Sequence, residues 1–190
     1  MRNALITIGT AALVALVLCW ALSCEGTARA EDAPCDAVCM TARAIQTLQP
    51  AVTAERAARL AGVFVAAGEE TDLDPLLLVA IARRESSFFL SVEELTKLGT
   101  ARQERGLMQA HGVALDFRPE GCARTLEGAE CQVRTGARYL AHCRETCPGS
   151  TWRWVAYYGT GVCRSEAESR RDRNANIAAS FYSQISGERW

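Results

Sequence analysis

Asp74-Pro75-Leu76-Leu77-Leu78-Val79-Ala80-Ile81-Ala82-Arg83-Arg84-Glu85-Ser86-Ser87-Phe88 describes a helix that is almost entirely apolar until its last turn, where one acidic residue stands. Asp74 is suited to cap it, because a short side-chain oxygen accepts from the first free N–H groups. Pro75 fits the first helical position, where a missing N–H costs nothing and φ is already set. The helix is expected to end near Ser86. On a 3.6-residue period Glu85 shares a face with Ile81, Ala82 and Leu78, so its carboxylate points where buried side chains point. Burial disfavours the charged form, and Glu85 is therefore expected to be a carboxylic acid able to give up a proton near neutral pH. The competing reading is a structural ion pair with Arg83 or Arg84, since such networks also perturb acidity.

Helical spacing continues along the chain, and no alternating strand pattern of useful length interrupts it. Asp36 to Leu48 reads as a short helix stopped before Pro50, and Thr53 to about Glu70 as a second, with Ala57, Leu60, Ala61, Phe64 and Val65 on one side. Leu90 to Arg105 loses its period around Gly99 and reads as a loop carrying part of a cleft. Gly106-Leu107-Met108-Gln109 follows, then a short helix reaching Phe117. Glu130 to Cys147 gathers Val133, Ala137, Leu140 and Ala141 and is ended by Pro148-Gly149. Trp152 to Tyr158 is broken by Gly159 and Gly161, and Asn176 to Ile185 turns Ile177, Phe181, Tyr182 and Ile185 inward. The fold class is all-α. With 190 residues, 49% of them hydrophobic, one domain with a proper core is expected.

Residues 1–30 stand apart. Met1-Arg2-Asn3 is a short basic start, Ala4 to Leu22 an apolar run, and Ala28-Arg29-Ala30 a small-x-small cleavage site, which together read as a secretory signal peptide. Retention of the run as an anchor is the first alternative, and lipid attachment at Cys24 is the second. After residue 30, 19 Lys and Arg face 21 Asp and Glu, so nothing supplies the basic stripe that nucleic acid requires. The charged stretch Arg164 to Arg173 mixes both signs and reads as a solvated helix face. Nine cysteines in an exported chain argue for disulfides. Cys19 and Cys24 belong to the signal segment, which leaves Cys35, Cys39, Cys122, Cys131, Cys143, Cys147 and Cys163, and therefore at most three bridges and one spare thiol. Cys122 with Cys131, and Cys163 with Cys143 or Cys147, are the favoured pairs. A zinc site at His142, Cys143 and Cys147 is set aside, because exported cysteines at helical spacing more often make bridges or core.

Four segments then carry a family resemblance. Glu85-Ser86 with Phe88 at the end of the apolar helix, Gly106-Leu107-Met108-Gln109, Gly136-x-x-Tyr139-Leu140, and Ala156-Tyr157 before a glycine resemble the soluble lytic transglycosylase catalytic domain. The likeness covers about residues 70 to 165. It implies a goose-type lysozyme-like fold; with the signal reading of residues 1–30, the expected division is 31–52 as a helical arm and 53–190 as catalytic domain, and acid–base chemistry on a glycoside calls for no cofactor or metal. It also implies cleavage of the β-1,4 bond between N-acetylmuramic acid and N-acetylglucosamine in peptidoglycan, with the muramoyl product closed as a 1,6-anhydro ring. Glu85 corresponds to the single catalytic acid, which then acts as base. A second carboxylate is not needed, because the substrate's own acetamido group can assist. Glu104 and Asp116 are the nearest acidic candidates for one, and neither lies in a motif.

By the same resemblance Ser86 orients Glu85, Met108 and Gln109 line the cleft, and Tyr157 stands beside the glutamate. Tyr158 takes the place of the family's usual Asn, Glu104-Arg105 replaces small residues, and a proline common after the Gly-Leu-Met-Gln run is absent. Tyr139 and Leu140 read as core. Two other functions stay open. A lysozyme-like muramidase would deliver water, and an inverting one would place a second carboxylate about 6.5–9.5 Å from Glu85. A catalytically inactive module would bind the wall for an assembly apparatus. The expected partner is the peptidoglycan strand, with a secretion or conjugation apparatus as candidate recruiter; the protein is expected to be a monomer in the periplasm or cell envelope.

Overall fold

The computed structural model describes residues 34–88, 106–124, 126 and 128–188. The signal reading of residues 1–30, the cleft loop at 90–105 and Glu104 lie outside the described residues. The chain divides into Met1–Pro34 and Cys35–Trp190, and every described helix belongs to the second unit. It contains α1 (Ala37–Leu48), α2 (Ala54–Thr71), α3 (Pro75–Ser86), a 3-10 helix (Gly112–Phe117), α4 (Gly128–Thr146), α5 (Thr151–Thr160), α6 (Glu166–Ser169) and α7 (Arg173–Ser186). No strand occurs among the described residues.

Helix α3 is the centre of the packing, and its composition explains why. Leu77, Leu78, Val79, Ala80, Ile81 and Ala82 are all buried, a set that covers more than one face. A helix apolar all round has to be surrounded. Helices α1, α2 and α7 do so. Asp74 caps α3 by accepting from Leu76 N at 2.8 Å, and its other oxygen accepts from the Tyr182 hydroxyl at 2.6 Å, which fixes α7 to the start of α3. At the far end Ser87 and Phe88 both adopt left-handed backbone, φ 57° and 56°. Phe88 is buried edge-on against Phe64 of α2, with ring centroids 6.3 Å apart.

Helix α4 forms a second layer against α2, α5 and the 3-10 helix. Glu70 of α2 accepts from Arg134 Nε at 2.7 Å and Arg138 Nε at 2.5 Å. These bonds, that from Arg134 above all, hold its carboxyl below the usual range.

Several boundaries differ from the sequence reading. Helix α5 runs through Gly159 to Thr160 and is capped by Gly161, so Gly159 does not break it. One interior glycine costs a helix only about 1 kcal/mol, which packing offsets. Helix α7 starts three residues early because Asp172 accepts from Asn174 N and Ala175 N at 2.9 and 3.0 Å. Its innermost residues are Ala175, Ala178, Ala179 and Tyr182, while Ile177, Phe181 and Ile185 are half-buried. The stretch Arg164 to Arg173 holds only the four-residue α6, built on a capping box between Ser165 and Glu168.

Disulfides join Cys35 to Cys39, Cys122 to Cys131 and Cys147 to Cys163. The remaining thiol, Cys143, is fully buried, and burial pushes its pKa up to about 12. No described helix is long and apolar enough to cross a membrane.

Candidate active site

The end of α3, the Gly106–Gln109 turn with the residues after it, and the last turn of α5 enclose a cavity of about 400 Å³. Glu85 lies in its wall, its side chain only 14% exposed. Arg84, 17% exposed, is beside it, and its Nη1 donates to Glu85 Oε1. The arginine pair named as the competing reading is thus present, but in a cavity wall rather than in a packed core. Among the described residues no carboxylate except Glu85 lines the cavity. Asp116 pairs with Arg124 at 3.6 Å on the surface.

A buried glutamine shapes the turn that faces Glu85. Gln132 of α4 is fully buried; its Oε1 accepts from Leu107 N at 2.9 Å, and its Nε2 donates to Leu126 O at 3.1 Å. Position 106 must be glycine on two counts. Its φ is +62°, and a Cβ would stand 2.0 Å from the Gln132 amide carbon. Gly136 is required by Met108, whose own Cβ would lie 2.4 Å from an added one. Met108 is consequently wedged, fully buried, onto α4. The turn then carries Gln109 into the cavity wall with left-handed backbone, φ 48°, and its Nε2 donates back to Gly106 O at 2.7 Å. That conformation costs a non-glycine residue roughly 1–2 kcal/mol.

Tyr158 closes the site from α5. Its hydroxyl donates to Met108 O at 2.7 Å, which ties the turn to α5. Burial first, and then the Glu85 charge, push the phenol well above its ordinary value, so it stays a proton donor across the physiological range. Tyr139 lines the same wall, its ring 5.3 Å from that of Tyr158, and burial raises its phenol to about 12.

Of the residues singled out from sequence, Glu85, Gln109 and Tyr158 meet at the cavity. Tyr157, expected beside the glutamate, is half-buried against the core and is not among the lining residues, whereas Tyr158 is. Met108, expected to line the cleft, is below its surface and contributes a carbonyl to Tyr158. Ser86 bonds within the helix end, donating to Ala82 O at 3.1 Å and accepting from Phe88 N at 3.3 Å. These two bonds shape the exit from α3, and neither reaches the Glu85 carboxyl. Sequence reasoning missed Arg84 and His111 as lining residues, and it took Tyr139 for core alone. His111 follows the Gly-Leu-Met-Gln run by two positions, which was the one signal pointing to it. Among the described residues no group of His, Cys, Asp and Glu could hold a metal ion.

Nothing among the curated proteins or the solved structures matches the chain. A family model does: the transglycosylase SLT domain, over residues 62–181, a span that contains α3, the turn, α4 and α5. With that model covering well over half of its length, and with Glu85, Gln109 and Tyr158 brought to one cavity, the chain belongs to the transglycosylase SLT domain family, whose members act on peptidoglycan.

Proposed function

We propose that the protein is a lytic transglycosylase that cuts the β-1,4 bond between N-acetylmuramic acid and N-acetylglucosamine, with Glu85 as acid and then base. The observation that carries this reading is the placement of Glu85: a largely buried carboxyl in a cavity wall whose described residues include no second carboxylate. A retaining glycosidase with a protein nucleophile needs two carboxyls about 5–5.5 Å apart, so a wall in which Glu85 is the one carboxylate among the described residues favours assistance from the substrate's acetamido group.

In the first step Glu85 gives its proton to the glycosidic oxygen as the bond to C1 breaks. The acetamido oxygen attacks C1 as it is released, and the N-acetylglucosamine chain leaves as an alcohol. In the second step the Glu85 carboxylate takes the proton of the muramoyl 6-hydroxyl. That oxygen attacks C1, displaces the acetamido oxygen and closes the 1,6-anhydro ring. Water is not consumed, and Glu85 ends protonated as it began.

Tyr158 and Gln109 position the sugar at the cavity, Met108 supports both through its carbonyl and its packing, and Ser86 fixes the helix end from which Glu85 projects. Export by the residue 1–30 segment would bring the enzyme to its substrate in the periplasm or envelope. A secretion or conjugation apparatus is the proposed recruiter. The test is release of soluble fragments from purified peptidoglycan by the wild type and by Glu85→Gln, a change of one atom type in a folded protein. A fall of at least about 10²-fold with unchanged melting temperature is expected of a lost general acid. Equal release by both proteins refutes the assignment.

A further inference from the structure

We propose that Arg84 is a positioning residue for Glu85, a fixed cation that holds the carboxyl at the cavity wall and balances the charge appearing there when the proton leaves. This rests on the role of Glu85 proposed above. Consecutive side chains on a helix do not normally face one another. A contact between residues 84 and 85 therefore requires one of them to be turned aside, and the surroundings of Arg84 indicate which.

The guanidinium is seated against the last turn of α5. A Cβ added at Gly159 would lie 3.7 Å from Arg84 Nη1, 3.9 Å from Arg84 Nη2 and 3.7 Å from Asn174 Nδ2 of α7. These are ordinary contact distances, so the guanidinium packs directly beside Gly159. The final carbonyls of a helix favour a cation at this position. The neighbouring arginine goes elsewhere: Arg83 Nε donates to Leu48 O at 2.9 Å, and its guanidinium lies 5.3 Å above the Phe181 ring. Arg83 docks α3 on α1 and α7, whereas Arg84 lines the cavity.

Arg84 and Glu85 are each more than four-fifths covered, so solvent ions screen the pair far less than a surface pair. The other polar side chains of the lining are Gln109, His111, Tyr139, Tyr158 and Thr160. Tyr139 and Tyr158 hold their protons, leaving the guanidinium as the permanent positive charge in the described wall. As the Glu85 proton passes to the leaving oxygen, a full negative charge forms on the carboxyl. A cation already in place stabilises that charge without reorganising, which eases proton transfer from the acid form of Glu85 and leaves sugar binding alone.

The experiment measures kcat, KM and melting temperature of the full chain on purified peptidoglycan for Arg84→Met, Arg84→Lys and Arg83→Met. Arg84→Met is expected to lose about 10–100-fold in kcat, as for a charged hydrogen bond, with KM within about twofold. Arg84→Lys, which keeps the charge and loses the fork, should fall between Met and wild type. Arg83→Met should lose stability and retain kcat. Wild-type kcat in Arg84→Met overturns the proposal, as does a Lys variant no better than Met. Should Arg84→Met not fold, Arg84→Lys decides alone: several-fold lower kcat at unchanged KM supports the proposal, and wild-type kcat refutes it. If Glu85→Gln proves fully active, the reading of Glu85 fails, and this proposal with it. If Glu85→Gln is inactive and Arg84→Met is not impaired, only the role of Arg84 fails.

Discussion

Gln132 shows how one side chain can determine a site it does not touch. It satisfies Leu107 N–H and Leu126 C=O from inside the core, and Gly106 exists as glycine to make room for it. Replacement by Leu preserves approximate volume but orphans two buried backbone groups, at about 1–3 kcal/mol each. Gln132→Leu is accordingly expected to lose about 2–5 kcal/mol in a urea unfolding curve. Cys143 makes a different point. A thiol pushed up to about 12 by burial has almost no thiolate at pH 8, and the thiolate is the reactive species. Wild type and Cys143→Ser should therefore consume equal amounts of a thiol reagent at pH 8 when native, and differ by a single thiol in strong urea. A difference under native conditions would mean that the core around α4 opens. None of the Gln132 contacts was legible in the chain, because a buried polar residue in a helix reads as surface until its partners are known. The two tyrosines named from the sequence show what one step along a helix does: Tyr157 and Tyr158 point about 100° apart, and of the pair Tyr158 lines the cavity.

Three helix starts were legible, since capping is local chemistry. Asp74-Pro75, Asp36 and Thr53 each preceded a helix that the structure contains, with their side-chain oxygens accepting from backbone N–H groups two or three residues on. Ends were less legible. Gly159 looked like a breaker, yet α5 passes through it. Helix α5 itself is held by the bridge between Cys147 and Cys163, which closes a loop containing the whole helix, including Tyr158 and Gly159. A loop of about 15 residues corresponds to about 3 kcal/mol of unfolded-state entropy. The double variant Cys147→Ala, Cys163→Ala should lose about 2–3 kcal/mol on thermal unfolding. Its peptidoglycan release should fall as well, because the Tyr158 bond to the turn depends on where α5 sits. Full activity in the destabilised variant would separate α5 from the site.

At the scale of the whole molecule, composition and period sufficed for the all-α class, and the order of four short motifs sufficed for the family. The single acidic residue at the end of the apolar helix lines the cavity. Its environment was not readable in that way. The cavity wall is assembled from segments as far apart as residues 84 and 161, and the Arg84 guanidinium meets it beside Gly159 of another helix. The proposed reaction differs from hydrolysis in one respect: Glu85 closes an anhydro ring without water. That difference is read in the mass of the muropeptide ends released from purified peptidoglycan. The wild type is expected to produce 1,6-anhydro ends, one water lighter than hydrolysed ends, and Glu85→Gln none. Reducing ends would make the protein a lysozyme-like muramidase, and anhydro ends persisting with Glu85→Gln would place the acid elsewhere; either result contradicts the proposed mechanism.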